Sequence, residues 1–164
     1  MPPQDILALC VAAGFVFIYG RIWFRRHREA PLRREVRTRN VTFGTVLDRV
    51  KVSDSGGWPK WVEVSAPMGL FVRGDAIEVS SSVAPLRVVM GLEYYLPAAE
   101  TSIEMSRSPS RIRRKDWIVL TGRQGGKDIQ VAITTTNHHA LLQAWNALFT
   151  AGAIPAGLPP QVPG

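Results

Sequence analysis

The pattern of apolar and polar positions divides the chain into four parts. These are a uniformly apolar start, a polar junction, a long series of short alternating runs and one amphipathic segment near the end. Ile6 to Phe24 reads ILALCVAAGFVFIYGRIWF, 19 residues in which Arg21 is the only charge. No polar stripe recurs at helical spacing, which argues against a half-buried core helix and against an in-plane amphipathic helix. As a helix the segment rises about 28 Å, close to the ~30 Å hydrocarbon core of a bilayer. The pattern therefore predicts a transmembrane helix at 6–24. Tyr19, Trp23 and Phe24 gather at one end, where amphipathic rings favour the headgroup layer, and the stem of Arg21 is long enough to snorkel there. A cleaved signal sequence would need positive charge before the apolar run and small residues after it. No Lys or Arg precedes Arg21, and RIWFRRHR follows.

From Asn40 the pattern becomes that of strands and turns. VTFGTVLDRVKV (41–52) is β-branched and alternating, SDSGGWP (53–59) is a turn cluster, and KWVEVSA (60–66) alternates again. GLFV and AIEVSS flank Arg73-Gly74-Asp75 as the arms of a hairpin; LRVVMGLEYYL (86–96), TSIEMS (101–106), RIRRKDWIVLTG (111–122) and KDIQVAITT (127–135) follow, the last two joined by GRQGG. No helical segment separates these runs, as a parallel sheet would require. One helix is predicted at 137–151. Asn137 is a suitable N-cap, Leu141, Leu142, Trp145, Leu148 and Phe149 form one apolar stripe, and Gly152 supplies a left-handed stop. The expected fold is mainly β, a bent sheet or small barrel of about seven antiparallel strands at 40–152. Leu141, Trp145 and Leu148 of the closing helix are expected to plug its open end. The Pro-rich, uncharged tail at 153–164 reads as disordered or polyproline-II-like.

Strands in this order followed by one C-terminal helix resemble a pleckstrin-homology-like (PH-like) domain, carried chiefly by the ending DWIVLTGRQGG–KDIQVAI–ALLQAWNALF. As a whole the chain is similar to single-pass bacterial membrane proteins that have an apolar N-terminus, an arginine-rich junction and a small cytoplasmic β domain. The resemblance spans most of residues 6–152. It implies a module that binds lipids, peptides or neighbouring subunits, a fold that rarely carries catalysis.

Charge sharpens this picture. The 164 residues hold 20 Lys and Arg against 13 Asp and Glu, but eight Arg and only two Glu fall within 21–39. Residues 40–164 are nearly balanced, and their aromatic residues are not interleaved with basic ones, which argues against a nucleic-acid partner. A basic flank on one side only places the N-terminus outside and residues 25–164 in the cytoplasm, at the inner membrane. Residues 25–39 are expected to form a solvated linker, with Pro31 interrupting any continuous helix. Arg21, Arg25, Arg26 and Arg28 are placed to meet anionic headgroups, at about 1 kcal/mol for each basic residue near the surface.

A second basic cluster, Arg107, Arg111, Arg113, Arg114 and Lys115, is a candidate lipid- or phosphate-binding loop; the plainer alternative is a solvated loop whose charges protect a strand edge. GRQGGK lacks the spacing of a phosphate loop and leads into a strand. His138 and His139 are adjacent at a helix start and point apart, and the single cysteine, Cys10, lies in the apolar run. No catalytic set, metal site or cofactor site can be assembled from these residues. The expectation is a non-enzymatic, membrane-anchored interaction module whose partners are the bilayer, anionic headgroups or an unidentified membrane or cytoplasmic protein. Two alternatives remain. One is a ligand-binding or enzymatic barrel with a polar cavity drawing on Glu93, Glu104, Asp116 or Arg87; the other is a small assembly subunit of a membrane complex.

Overall fold

A computed structural model of the chain describes residues 3–54, 61–107, 116–135 and 137–157; within these, the side chains of 3, 4, 18, 21, 22, 24–33, 54, 88–90 and 107 lie outside the description. A long helix α1 (Pro3–Thr38) leads into β1 (Val41–Leu47), β2 (Arg49–Asp54), β3 (Val62–Val64), β4 (Met68–Arg73) and β5 (Ala76–Ser81). Helix α2 (Ala84–Met90), β6 (Glu93–Pro97), a 3-10 turn (Ala98–Glu100), β7 (Ser102–Arg107), β8 (Asp116–Gln124) and β9 (Lys127–Thr134) follow. Helix α3 (His138–Thr150) and β10 (Ile154–Pro155) complete the described elements. The molecule is mainly β with a C-terminal helix.

Two sheets enclose the core. The first has the order β1-β4-β5-β6, the second β10-β7-β8-β9-β2-β3. The predicted continuous run 41–52 bends at Asp48, whose amide bonds the Thr134 carbonyl at 2.9 Å. The run thus pairs with β4 as β1 and with β9 as β2, stitching the sheets together at one corner. At the opposite corner the Gln124 side chain stands in for a missing strand: its Oε1 accepts from the Tyr95 amide at 3.1 Å and its Nε2 donates to the Glu93 carbonyl. Gly122 lets β8 cross here, since a Cβ would sit 2.9 Å from Thr101 Oγ1 and 3.3 Å from Leu96 Cδ2.

Leu47, Val50, Leu70, Ile77, Ile118 and Ile133 are among the buried residues between the sheets. Helix α3 lies against β1 and β4 of one sheet and β8 of the other, with Leu141, Ala144, Trp145 and Leu148 buried. Its ends use local chemistry. The Asn137 side chain accepts from the Ala140 amide at 2.6 Å. Gly152, at φ +101°, closes a Schellman turn in which Ala153 N–H bonds Leu148 O and Gly152 N–H bonds Phe149 O.

Several expectations need correction. The structure has two sheets and no closed barrel, with ten strands among the described residues where about seven were expected. LRVVMGL is not a strand: Pro85 at the first turn and Gly91, left-handed at φ 63°, bound α2 despite its β-branched residues. The stripe on α3 is rotated, so that Ala144 is buried while Phe149 is 57 % exposed. The tail is not wholly free of structure, because Ile154–Pro155 pairs in parallel with Ser102–Ile103; residues 158–164 lie outside the described residues.

The N-terminal expectation changes most. Helix α1 is 36 residues long and continues through Pro31 to Thr38, so residues 25–38 form no irregular linker. A proline inside a helix removes a bond and crowds the preceding turn, at about 3 kcal/mol. Here the far end is held by tertiary contacts, and tertiary context overrides local propensity. Among the described residues no helix is long and apolar enough to cross a membrane. Ile18, Arg21, Ile22 and Phe24, all within the expected span, have side chains outside the described set.

A candidate functional site where the long helix meets the first sheet

Alternation along β5 puts Ile77 and Val79 toward the core and Glu78 and Ser80 on the outer face. In a sheet with one solvated face the second pair would be wet, yet all six residues of β5 are buried. The outer face is covered by the last turns of α1 and by α2, which pack against β6 and β5. Val36 of α1 forms a small apolar cluster with Ala76 and Tyr95.

Beneath that cover lies a polar network. Tyr95 sits opposite Glu78 across the β5–β6 ladder, and its hydroxyl donates to Glu93 Oε2 at 2.8 Å. Glu78, only 2 % exposed, accepts from Arg73 Nε at 2.7 Å and from the Ser80 hydroxyl at 2.8 Å. Glu93 is also buried and lies 3.6 Å from Arg37 Nη2, on α1. The helix is thus joined to the sheet through charge as well as apolar contact. A second clamp sits two residues on, just past the helix end, where Arg39 donates to Asp75 in the β4–β5 turn and, at 2.8 Å, to Glu35 of α1. Gly74 makes that turn possible at φ +62°. A cavity of about 160 Å³ remains beside the contact, between Val36, Ala76, Tyr95 and Leu96.

Chemically the network holds the helix. Burial first, then the charge of Glu78 and the hydrogen bond to Glu93, hold the Tyr95 phenol far above its usual range. The group therefore stays protonated as a donor and is not poised as a base at neutral pH. The linkage follows from this sign. A folded-state value raised above the unfolded one contributes stability that is complete below about pH 10 and is lost as the pH climbs beyond it. Tyr95→Phe is expected to lose about 1 kcal/mol at neutral pH, the worth of one buried hydrogen bond. It should also show a shallower decline than the parent between about pH 9 and 11. Urea unfolding across that range is the check; parallel alkaline limbs would contradict the assignment.

The residues expected from sequence to form a site are not brought together. Arg107 ends β7, with its side chain outside the described set, and Arg111, Arg113, Arg114 and Lys115 lie outside the described residues altogether. Arg21, Arg25, Arg26 and Arg28 fall on α1, also with side chains outside the description. Of the carboxylates considered for a pocket, Glu93 belongs to the junction, Glu104 is exposed on β7, and Asp116 lies 3.5 Å from His138 Nδ1 at the start of α3. Neither these nor Arg87 lines the cavity above. Among the described residues no group of His, Cys, Asp and Glu is arranged to hold a metal ion.

Sequence reasoning missed Glu78, Tyr95 and the cover above them. In AIEVSS a polar residue between apolar ones is the ordinary mark of a solvent face, and only the docking of α1 makes it a buried one. The chain matches no family model, no curated protein and no solved structure.

Proposed function

We propose that this chain is a membrane-anchored interaction module without catalysis of its own. Its α1 is embedded in the bilayer over residues 6–24, and its β domain is presented at the cytoplasmic face to a protein or to anionic lipid. The observation that carries this reading is the surface of α1. Ile6, Leu7, Leu9, Val11, Phe15, Val16, Phe17, Tyr19 and Trp23 are all more than half exposed. At 100° per residue these positions surround the helix, so no single groove on a partner would cover them, whereas acyl chains would. The arginines that begin at Arg21 give the anchor its direction, since cationic flanks stay on the cytoplasmic side.

The PH-like reading of the domain is supported by its architecture. Taking β1 and β2 as one bent strand, and leaving aside the short β3 and β10, seven strand segments precede the closing helix. A ligand-binding barrel is less well supported, because the space between the sheets is filled by a contiguous apolar cluster.

Membranes from cells producing the full chain test the anchor. Alkaline carbonate is expected to leave the protein in the pellet. Protease added outside sealed cells should spare the β domain and cut it only after permeabilisation. Release by carbonate, or digestion in sealed cells, would overturn the reading.

A further inference from the structure

We propose that α1 and the β domain form one rigid body, so that a tilt or rotation of the apolar helix is carried directly to the first sheet. The source of such a tilt rests on the membrane reading above; the rigidity rests on the junction alone.

A passive tether needs slack between anchor and cargo, and this chain has almost none. Helix α1 ends at Thr38 and β1 begins at Val41, with the last turn closed by Arg39 N–H to Val36 O at 3.2 Å and by the Thr38 hydroxyl to Glu35 O at 2.7 Å. The fixing points lie on different elements of the sheet. Arg37 reaches Glu93 on β6, Arg39 reaches Asp75 in the β4–β5 turn, and Arg73 Nη1 donates to the Arg39 carbonyl at 3.3 Å. Val36, 3 % exposed, is seated among them on Ala76 and Tyr95. Separate anchors around a buried residue resist rotation as well as lifting. Raising the helix would also break the Arg37–Glu93 pair and expose the apolar contact of Val36 with Ala76 and Tyr95 to water.

The consequence is a fixed stand-off. The 12 residues from Phe24 to Val36 rise about 18 Å along a helix. The docked sheet is therefore held just beyond the headgroup layer in one orientation, and does not sample the surface on a loose chain. A membrane partner that turns the helix would turn the outer face of β5 and β6 with it.

Pulsed electron spin resonance on the full chain tests this. One nitroxide is placed on Cys10, the chain's single cysteine, and a second on a Ser65→Cys substitution at an exposed position. A single narrow distance is expected, the same in detergent micelles and in lipid nanodiscs. Inserting Gly-Gly after Leu32, upstream of the junction, should abolish the narrow peak while leaving the domain's thermal midpoint unchanged. Val36→Ser with Arg37→Ser should abolish it as well. A broad distribution in the parent, or a narrow peak that survives the double substitution, would overturn the proposal. Should that variant not fold, the parent and the Gly-Gly chain decide the matter. Failure of the membrane reading is a separate result: the chain would elute free of lipid while keeping its narrow distance.

Discussion

Arg73→Leu is expected to lower folding stability by about 3 kcal/mol, while the double change Arg73→Leu with Glu78→Leu should recover most of that loss. The asymmetry comes from burial. Glu78 is 2 % exposed, and its ion-pair partner is Arg73 Nε at 2.7 Å; the Ser80 hydroxyl serves the other oxygen. Removing the guanidinium leaves a carboxylate in a dry site with one neutral donor, which is far worse than having no charge there. Removing both groups leaves an apolar pair under the cover of α1 and α2, and such replacements are often neutral. Urea unfolding of the full chain in detergent, followed by tryptophan fluorescence, reads both values. A single variant within about 0.5 kcal/mol of the parent would mean that Glu78 does not depend on Arg73. The full loss persisting in the double variant would mean that Arg73 acts through its other contacts, the Arg39 carbonyl among them, and not through the charge of Glu78.

The same residues show where reading the sequence succeeds and where it stops. Turns and caps are written locally: Arg73-Gly74-Asp75, the Gly125-Gly126 pair with φ +58° and +79°, and Asn137 before α3 all fold as their chemistry dictates. Strand positions are legible where alternation is unbroken, as in the arms of the β4–β5 hairpin. What fails is anything decided by a distant partner. The run 41–52 carries no mark that it will change sheets at Asp48. LRVVM is β-branched yet helical, since Pro85 and Gly91 fix its ends and β5 supports it. Pro31 breaks a helix in isolation but not in one fixed at its far end. The junction was hidden for the same reason. Glu35, Arg37 and Arg39 read as part of a basic run with a topology signal, and nothing nearby reveals that their partners lie at Asp75 and Glu93.

Trp145→Ala is expected to lower stability by about 3–5 kcal/mol, the range for deleting a large aromatic side chain from a core. Phe149→Ala, one helical turn on, should stay within about 0.5 kcal/mol of the parent. By sequence the two belong to one apolar stripe and ought to behave alike. The structure separates them, since Trp145 is 3 % exposed and Phe149 57 %. Helix α3 rests on β1 and β4 of the first sheet and on β8 of the second, and Trp145 belongs to the buried apolar cluster beneath it. An alanine there leaves a void that rigid sheets on either side cannot collapse to fill, and the cost of a core deletion grows with the cavity that remains. Equal losses for the two variants would show that α3 sits rotated from its described position. A loss below about 1 kcal/mol at Trp145 would show that the open end of the sandwich is not held by this helix.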